Sequence, residues 1–413
     1  MKEQNRLLNS YFNTCSGSAL YEWPINPHLE ITKTMALLER EHGSRPTVLF
    51  NNIEGHPGKR ILMNPFRKCI VSKLLVGDTL PFLPEIRRRL KTAPLPTIMT
   101  NSDRFIQAEN KLNEIPILKH QPGDANAYIT AGITATKCPE TNLINLGIYR
   151  LQYVNRDTLL IFMNPKSDGY RNYKAYVGNG EKAPVSIFIG AEPEFYLVGA
   201  GGFASRIDSY AACSMVSARA ISLQELQVPV PCSSQYIICG HITDKHGLEG
   251  KFGEFKGFYC SPASNPILEV DKVYFKEDAF YTSIIAGEES GLSLMAIPNE
   301  IRMFNGLGDQ GFVITNIRYL LKNGLGEFTV VIETPNPEKS IIQSAWKIDA
   351  RVKFVICGTR VLDPWRDINI FPVNSVYDTY VRSGRPDGEK VGFILNNTSD
   401  VEWVEFLPDP LRG

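Results

Sequence analysis

The stretch EGKFGEFKGFY, residues 249–259, is the most informative part of this sequence. It places two carboxylates, Glu249 and Glu254, on a glycine-punctuated turn that leads into an aromatic strand. Glycine lets such a backbone come close to a flat ligand. Two carboxylates in a pocket that excludes water repel each other, which favours general-acid chemistry at one of them. Taken alone, a solvated loop with two surface glutamates is the commoner explanation of this pattern.

A second stretch, NLGIYR at residues 145–150, interrupts an apolar strand pattern with Arg150. A buried arginine needs an anionic partner, and Glu249 is a candidate. The planar donors of the guanidinium can also hold a substrate carboxylate. An arginine on the polar face of a half-exposed strand explains the pattern equally well.

A third stretch, residues 184–203, contains a buried strand, a turn from Gly190 to Pro193, and a glycine cluster that includes Gly199 and Gly201. Such glycines can present backbone N–H groups to a phosphate. The cluster does not fit the dinucleotide pattern GxGxxG, and a plain glycine-rich loop is its commoner explanation.

The length and amino-acid composition exclude several classes of protein. The 413 residues predict two or three domains. Lys+Arg and Asp+Glu both total 44, so no net charge attracts nucleic acid or an anionic membrane. The 8 cysteines are scattered without a CxxC pair, and no apolar stretch is long enough to span a membrane. We expect a cytoplasmic protein with reduced thiols.

The pattern along the chain predicts an α/β region over residues 1–112. A helix is expected from Ile31 to His42, a buried strand within residues 46–50, and a basic helix that starts near Pro84. Residues 291–413 alternate in the same way, with a helical pattern over 293–304, strands at 328–333 and 353–358, and a helix at 340–348 between these strands. These regions are predicted to be two α/β domains.

Residues 113–290 differ, because their short apolar runs are β-branched or aromatic and are separated by turn residues. Asn155–Asp157 and Lys276–Asp278 are predicted hairpin connections. The middle domain is therefore expected to be mainly β, as a barrel or closed sheet.

Together the three stretches resemble the signatures of the UbiD-type reversible decarboxylases, N-x-x-x-x-R, then iG-x-x-P, then EGP(F/Y)GE-x-x-GYY. The resemblance covers nearly the whole chain and includes residues 47–55, 226–240, 277–288, 353–358 and 383–393. It implies a central split β-barrel flavin-binding domain between the N-terminal and C-terminal α/β domains. It also implies a homodimer or a higher homo-oligomer.

The resemblance further implies decarboxylation of an α,β-unsaturated or aromatic acid with prenylated FMN, or with FMN bound in its place, and a flavin prenyltransferase that supplies the cofactor. Arg150, Glu249 and Glu254 correspond to the catalytic set, with Glu254 as proton donor. Phe162, Pro165 and Phe255 correspond to the substrate pocket. The cofactor-binding positions are Asn145, Gly147, Ile148, Tyr149, Arg150, Pro165, Lys166, Gly199, Gly201, Ser209 and Lys347.

One departure concerns the metal, manganese or magnesium, which in this family is held by Asn, His and Glu. Asn145 matches the first ligand, but Lys166 and Ser209 stand at the other two positions. A charged lysine is a poor ligand and a serine hydroxyl a weak one. Our hypothesis is that Lys166 replaces the metal as counter-ion of the flavin phosphate. A surface-loop lysine is the alternative, and the use of potassium stays open.

Two further segments, residues 234–240 and 357–360, lack the acidic residues of the family pattern, which indicates a specialised branch. An alternative function is therefore a catalytically altered flavin-binding protein with a structural or regulatory role. The presence of Arg150, Glu249 and Glu254 argues against it. A flavin reductase would need a nicotinamide site, and no motif for one is found.

Overall fold

The computed structural model describes residues 5–14, 17–101, 105–201, 203, 207–321, 328–362, 364, 373–382 and 385–395. The chain divides into two compact units, residues 1–301 and residues 302–413. The predicted domain boundaries after residues 112 and 290 stay predictions.

The first unit opens with alternating helices and strands. Their bounds are α1 Arg6–Asn13, β1 Ser18–Tyr21, α2 Glu30–His42, β2 Thr47–Phe50, β3 Arg60–Met63, α3 Lys68–Val76, α4 Phe82–Arg89, β4 Thr97–Thr100, β5 Ile106–Gln107 and a 3₁₀ helix Lys111–Glu114. Helix α2 ends where Gly43 adopts a left-handed conformation, φ 70°, which is the common helix stop. The predicted helix at Pro84 is present, with this proline in its first turn.

The β-rich part follows. Its elements are β6 Tyr128–Ile129, β7 Ile133–Lys137, β8 Ile144–Ile148, β9 Leu151–Asn155, β10 Thr158–Ile161, α5 Asp168–Gly178, β11 Ala183–Ile189, α6 Pro193–Gly199, α7 Ser209–Ser217, β12 Ile221–Gln224, β13 Val230–Pro231, β14 Tyr236–Glu249, β15 Phe252–Gly253, β16 Tyr259–Cys260, β17 Ala263–Phe275 and β18 Phe280–Ser283. The strand-rich character expected between residues 113 and 290 is confirmed.

The main sheet has nine strands in the order β6-β9-β10-β17-β14-β11-β7-β8, with β5 paired to β17. Its strands pair antiparallel, and long β14 and β17 form its centre. Apolar side chains such as Leu159, Ile187, Ile238 and Leu268 are buried beneath the sheet in one core. Since these strands are mostly β-branched or leucine-rich on the buried face, burial of that face stabilises the sheet.

One predicted hairpin is confirmed and the other is wrong. Strands β9 and β10 pair antiparallel around Asn155–Asp157. After Lys276–Asp278, however, β18 does not return along β17 but pairs parallel with β3. A four-stranded sheet of order β1-β2-β3-β18 results. The turn residues indicate a reversal of the chain, but the sheet that receives the next strand depends on distant residues.

Helix α8 Glu289–Asp309 runs along the chain from the first unit into the second, and the helix predicted over 293–304 lies within it. The second unit continues with β19 Asn316–Tyr319, β20 Thr329–Glu333, α9 Lys339–Ile348, β21 Phe354–Gly358, β22 Val373–Arg382 and β23 Arg385–Leu395. Its sheet has the order β19-β20-β21-β23-β22. The predicted strands and the helix between them are confirmed. Within the described part of the chain, no helix is long and apolar enough to cross a membrane.

Candidate active site

Arg150 lies at a junction between strands. Strand β8, which pairs with β7, ends at Ile148, and β9, which pairs with β10, begins at Leu151. The Arg150 carbonyl accepts a hydrogen bond from the N–H of Phe162, 3.1 Å away. The interruption of the apolar pattern at this arginine therefore marks the passage of the chain between two strand pairs.

A bidentate ion pair joins Arg150 to Glu249, the last residue of β14. Arg150 Nε donates to Oε1 at 2.7 Å and Nη2 donates to Oε2 at 3.1 Å. The Asn265 amide also donates to Oε2. The Glu249 side chain is only 1% exposed, so its charge depends on these donors. Burial by itself lowers the pKa of Arg150, but the bonds to Glu249 raise it above its ordinary value.

Glu254 is the second carboxylate near the guanidinium. Its Oε1 lies 3.4 Å from Arg150 Nη1, and its side chain is 29% exposed. The loop that carries it is held because Gly253 N–H donates to Asp124 Oδ1 at 2.8 Å and Glu254 N–H donates to the Phe258 carbonyl at 2.9 Å. The two glutamates thus have different environments, one buried and tied to the arginine, the other accessible.

Aromatic rings flank the guanidinium. Arg150 Cζ lies 4.1 Å from the ring centre of Phe162 and 5.3 Å from that of Phe252. Such contacts favour the charged guanidinium and limit its contact with water. The ring of Phe162 itself is partly exposed.

Arg150 and Glu254 line a cavity of about 350 Å³, called the small cavity below. Apart from these two and Thr130, its wall consists of apolar side chains and glycines, namely Ile148, Gly199, Ala200, Phe252, Phe255, Ile284, Ala286, Gly287, Gly291, Leu294 and Met295. Phe255 thus lines this cavity, and its role in a substrate pocket stays a prediction. Phe162 and Pro165 line neither this cavity nor the larger one described next.

The large cavity, of about 920 Å³, adjoins the small one, because Ile148, Gly199 and Ala200 line both. Most predicted cofactor positions line it, namely Asn145, Gly147, Ile148, Tyr149, Lys166, Gly199, Gly201 and Ser209. Lys347 is an exposed residue of α9 in the second unit, and its predicted contact with the cofactor stays a prediction. The glycine cluster belongs to the end of helix α6 rather than to a loop alone.

Tyr149 packs directly against backbone in the large cavity. A Cβ at Gly147 would lie 2.5 Å from its ring, and one at Gly169 would lie 2.5 Å from its hydroxyl oxygen. Burial raises the pKa of Tyr149, although hydrogen bonds with Ser167 and the Gly169 backbone oppose this. Only glycine permits this close approach, which gives the cavity a firm aromatic wall.

The residues at the predicted metal position do not fit a divalent ion. Asn145 Oδ1 is buried and has no hydrogen-bond partner among the described residues. Ser209 Oγ already accepts the Leu146 N–H at 3.1 Å, and the side chain of Lys166 is exposed at the cavity. Over the described ranges, no three His, Cys, Asp or Glu side chains gather as a metal site. One neutral oxygen and a lysine are a poor donor set for manganese or magnesium.

Sequence reasoning missed two groups of polar residues. Asn265, near the start of β17, holds Glu249, and His120, Thr130 and Ser283 form a buried cluster beside the small cavity. Asn265 and Ser283 are polar residues in strands β17 and β18, a weak signal because such residues occur in many sheets, whereas His120 and Thr130 lie outside the strands.

The buried His120 makes a testable contribution to stability. Burial lowers its pKa from 6.5 to about 4, so the unfolded chain binds a proton that the folded chain does not. The unfolding free energy that comes from keeping this histidine neutral is fully present above pH 6.5 and is lost as the pH falls toward 4. We expect this group to remove about 2 kcal/mol of unfolding free energy between pH 7 and pH 5.

Urea unfolding of wild type and His120→Gln at both pH values measures this term. The variant should lose less stability on acidification than wild type, whereas His246→Gln, at an exposed position, should behave as wild type. Equal losses in wild type and His120→Gln would contradict the assignment.

Comparison with known proteins identifies the family. Residues 96–289 match the 3-octaprenyl-4-hydroxybenzoate carboxy-lyase Rift-related domain, and residues 22–90 match the N-terminal domain of the same family. An uncharacterised protein of Aquifex aeolicus (strain VF5) is 26% identical over 294 residues, 64% of this chain. That match spans 60% of the length of the Aquifex protein.

Solved structures share the fold. An evolved dimeric form of the UbiD-class enzyme HmfF from Pelotomaculum thermopropionicum, in complex with prFMN, has a TM-score of 0.83 at 19% identity, over 98% of this chain and 97% of that one. The apo 3,4-dihydroxybenzoic acid decarboxylase from Enterobacter cloacae has a TM-score of 0.83 at 18% identity, over 94% and 93%. With both of its domain models matched over residues 22–90 and 96–289, this chain belongs to the UbiD family.

Proposed function

We propose that this chain is a non-oxidative decarboxylase that removes carbon dioxide from an α,β-unsaturated or aromatic carboxylic acid with prenylated FMN as cofactor. The observation that carries the proposal is the convergence of Arg150, Glu249 and Glu254 at a small apolar cavity that opens beside a large one. The UbiD-class enzyme HmfF, similar in fold, was solved with prFMN.

The large cavity fits a flavin mononucleotide. It offers a flat aromatic wall at Tyr149, a close backbone approach at Gly147, and an unsatisfied buried oxygen at Asn145. These residues, with Lys166 and Ser209 at the phosphate end, would hold the cofactor. When bound, prenylated FMN supplies a dipole that adds across a double bond or aromatic edge of the acid.

Arg150 is the group that would bind the acid. A guanidinium has five N–H donors, and three of them are engaged by Glu249 and Glu254. The other two N–H groups can donate hydrogen bonds to the carboxylate of the substrate. Glu249 fixes the orientation of the guanidinium, because both carboxylate oxygens accept bonds from it.

Glu254 would deliver the proton to the carbon that has lost carbon dioxide. It lines the small cavity and is accessible enough to regain a proton from solvent. The apolar wall, with Phe252 and Phe255, excludes water from the reacting carboxylate, which favours its departure as a neutral gas. No group from the described metal position takes part in these steps.

Expression with a flavin prenyltransferase tests the function. The purified protein should carry the absorption of prenylated FMN and release carbon dioxide from at least one acid of a panel of cinnamic, furoic, hydroxybenzoic and short enoic acids. Absence of bound flavin would contradict the proposal. Bound flavin without release from any acid would favour a flavin-binding protein with a structural or regulatory role.

We also propose that Lys166 replaces the divalent metal as counter-ion of the flavin phosphate. It is the lysine that lines the large cavity within the described part of the chain, and Asn145 and Ser209 line the same cavity. Loss of a dication together with one carboxylate ligand removes one positive charge, and an ammonium restores it. The neighbouring Arg171 is engaged by Asp168, which leaves the lysine as the better phosphate partner.

The Lys166 proposal predicts flavin binding without metal. Lys166→Ala should weaken FMN binding about tenfold or more, because one charge-assisted contact to the phosphate is lost. Titration of the apoprotein with FMN in the presence of EDTA, followed by flavin fluorescence, measures the change. Lys33→Ala, at an exposed position of α2, is the matched control.

EDTA should not change the affinity of wild type for FMN. One tightly held manganese or magnesium ion per purified chain, or an unchanged affinity in Lys166→Ala, would reject the proposal.

A further inference from the structure

A chain of three hydrogen-bonding side chains ends at the small cavity. Ser283 Oγ lies 3.1 Å from His120 Nε2 and 2.9 Å from Thr130 Oγ1. Thr130 lines the cavity and is 9% exposed, whereas His120 and Ser283 are 3% and 1% exposed. The mechanism proposed above uses none of the three, although Thr130 is the third polar residue of that cavity.

The Thr130 hydroxyl has most of its hydrogen-bonding sites occupied within the cluster. A hydroxyl has one donor and two acceptor sites. Thr130 Oγ1 accepts the Ile284 N–H at 2.9 Å, which occupies one acceptor site. Its remaining contacts are Ser283 Oγ and, at the longer distance of 3.4 Å, His120 Nε2. The position of the ring proton on His120 therefore decides what the Thr130 hydroxyl offers to the cavity.

His120 is neutral above about pH 5, since burial lowers its pKa to about 4, and it carries one ring proton. Its Nδ1 is buried and has no hydrogen-bond partner among the described residues. A buried N–H without a partner is rarer in proteins than a buried acceptor without one. The proton is therefore placed on Nε2, from which it is donated to Ser283 Oγ.

In the network that continues in this direction, Ser283 accepts from His120 and donates its own proton to Thr130 Oγ1, 2.9 Å away. Thr130 then accepts from both Ser283 and the Ile284 N–H, so its two acceptor sites are filled. In this network the Thr130 hydroxyl proton is bound by neither Ser283 nor His120 and is available to the cavity.

We propose that the Thr130 hydroxyl donates this proton to an acceptor oxygen of the molecule bound in the small cavity, and that it thereby selects ligands that carry such an oxygen. The inference rests on the proposed function for the kind of ligand, an unsaturated or aromatic acid with a carbonyl or ether oxygen apart from its carboxylate. A ring carbonyl of the flavin is the second source of the same chemistry, since Ile148, Gly199 and Ala200 line both cavities.

Thr130→Val tests the donor, because valine keeps the shape and removes the hydroxyl. Wild-type protein loaded with FMN is titrated with matched acids that differ in one carbonyl, 4-acetylbenzoate against 4-isopropylbenzoate and 4-oxopent-2-enoate against 4-methylpent-2-enoate. In at least one pair, wild type should prefer the carbonyl member by about fivefold, which one hydrogen bond supplies. Thr130→Val should lose the preference and Thr130→Ser should keep it.

The FMN affinity of the same variants distinguishes the two sources. A loss of FMN affinity in Thr130→Val but not in Thr130→Ser assigns the acceptor to the flavin. Thr97→Val, on the exposed strand β4, controls for the exchange of threonine for valine. If Thr130→Val leaves both the carbonyl preference and the FMN affinity at wild-type values, the proposal is overturned.

A second measurement needs neither flavin nor turnover, so it separates this inference from the decarboxylase proposal. Nitrogen-15 NMR of the histidine side chains, with His120→Gln to assign the signal, reports the tautomer. A proton on Nε2 between pH 6 and pH 8 is the expected result. A proton on Nδ1 would reverse the direction of every bond in the chain and overturn the donor role of Thr130.

Discussion

Replacement of Glu254 by glutamine is expected to lower the rate of carbon dioxide release by about 10²-fold to 10⁴-fold, the usual contribution of a positioned general acid. The amide keeps the shape of the side chain and its contact with Arg150 Nη1 through an oxygen, but it cannot deliver a proton. Single-turnover assays of protein loaded with prenylated FMN, on the best acid of the panel, measure the loss.

The control for this experiment is Glu109→Gln, which removes an exposed carboxylate outside both cavities. It should release carbon dioxide at the wild-type rate. Flavin content should be equal in wild type and both variants, since Glu254 does not line the large cavity. A Glu254→Gln protein with full activity would show that another group delivers the proton.

Replacement of Arg150 by methionine is expected to cost about 3–5 kcal/mol of unfolding free energy, because it leaves the buried Glu249 carboxylate without its cation. The double variant Arg150→Met, Glu249→Met should recover most of this loss, since no uncompensated charge then remains. Urea unfolding at pH 7 measures both effects. Activity should be lost in both variants, because neither can bind the acid through a guanidinium.

Arg156→Met is the matched control for the stability measurement. Arg156 is 60% exposed and pairs with Asp157, 41% exposed, so solvent screens the pair and its loss should leave the unfolding free energy close to that of wild type. A double variant no more stable than Arg150→Met alone would mean that the methionine side chains pack badly, and that the ion pair does not account for the cost.

The elements that local pattern controls were predictable from sequence. The helix that ends at Gly43 and the hairpin at Asn155–Asp157 follow from residues that are neighbours along the chain. The parallel pairing of β18 with β3 joins residues more than two hundred positions apart, and no local signal contains it. Tertiary pairing rather than turn chemistry decides such a connection.

The candidate site also combines features that sequence motifs indicate with contacts that only the folded chain brings together. Arg150 contacts Glu249 and Glu254 although 99 and 104 residues separate them, and the family resemblance rather than any local pattern pointed to this set. Pro165 lines neither cavity, and its predicted contacts with cofactor and substrate stay predictions. The cluster around Thr130 has no spacing signature at all, because Ser283 ends strand β18, His120 lies in a loop, and neither forms a sequence motif with Thr130.

Under the proposed function, the shared wall of the two cavities bears on how the range of substrate acids could be altered. Because Ala200 lines both cavities, a bulkier residue there would reshape the proposed flavin site and the proposed acid site together, and selection for a new substrate would work against cofactor binding. Leu294 and Met295 line only the small cavity. Under the proposed function, libraries built at these two positions are expected to change the substrate without changing cofactor loading.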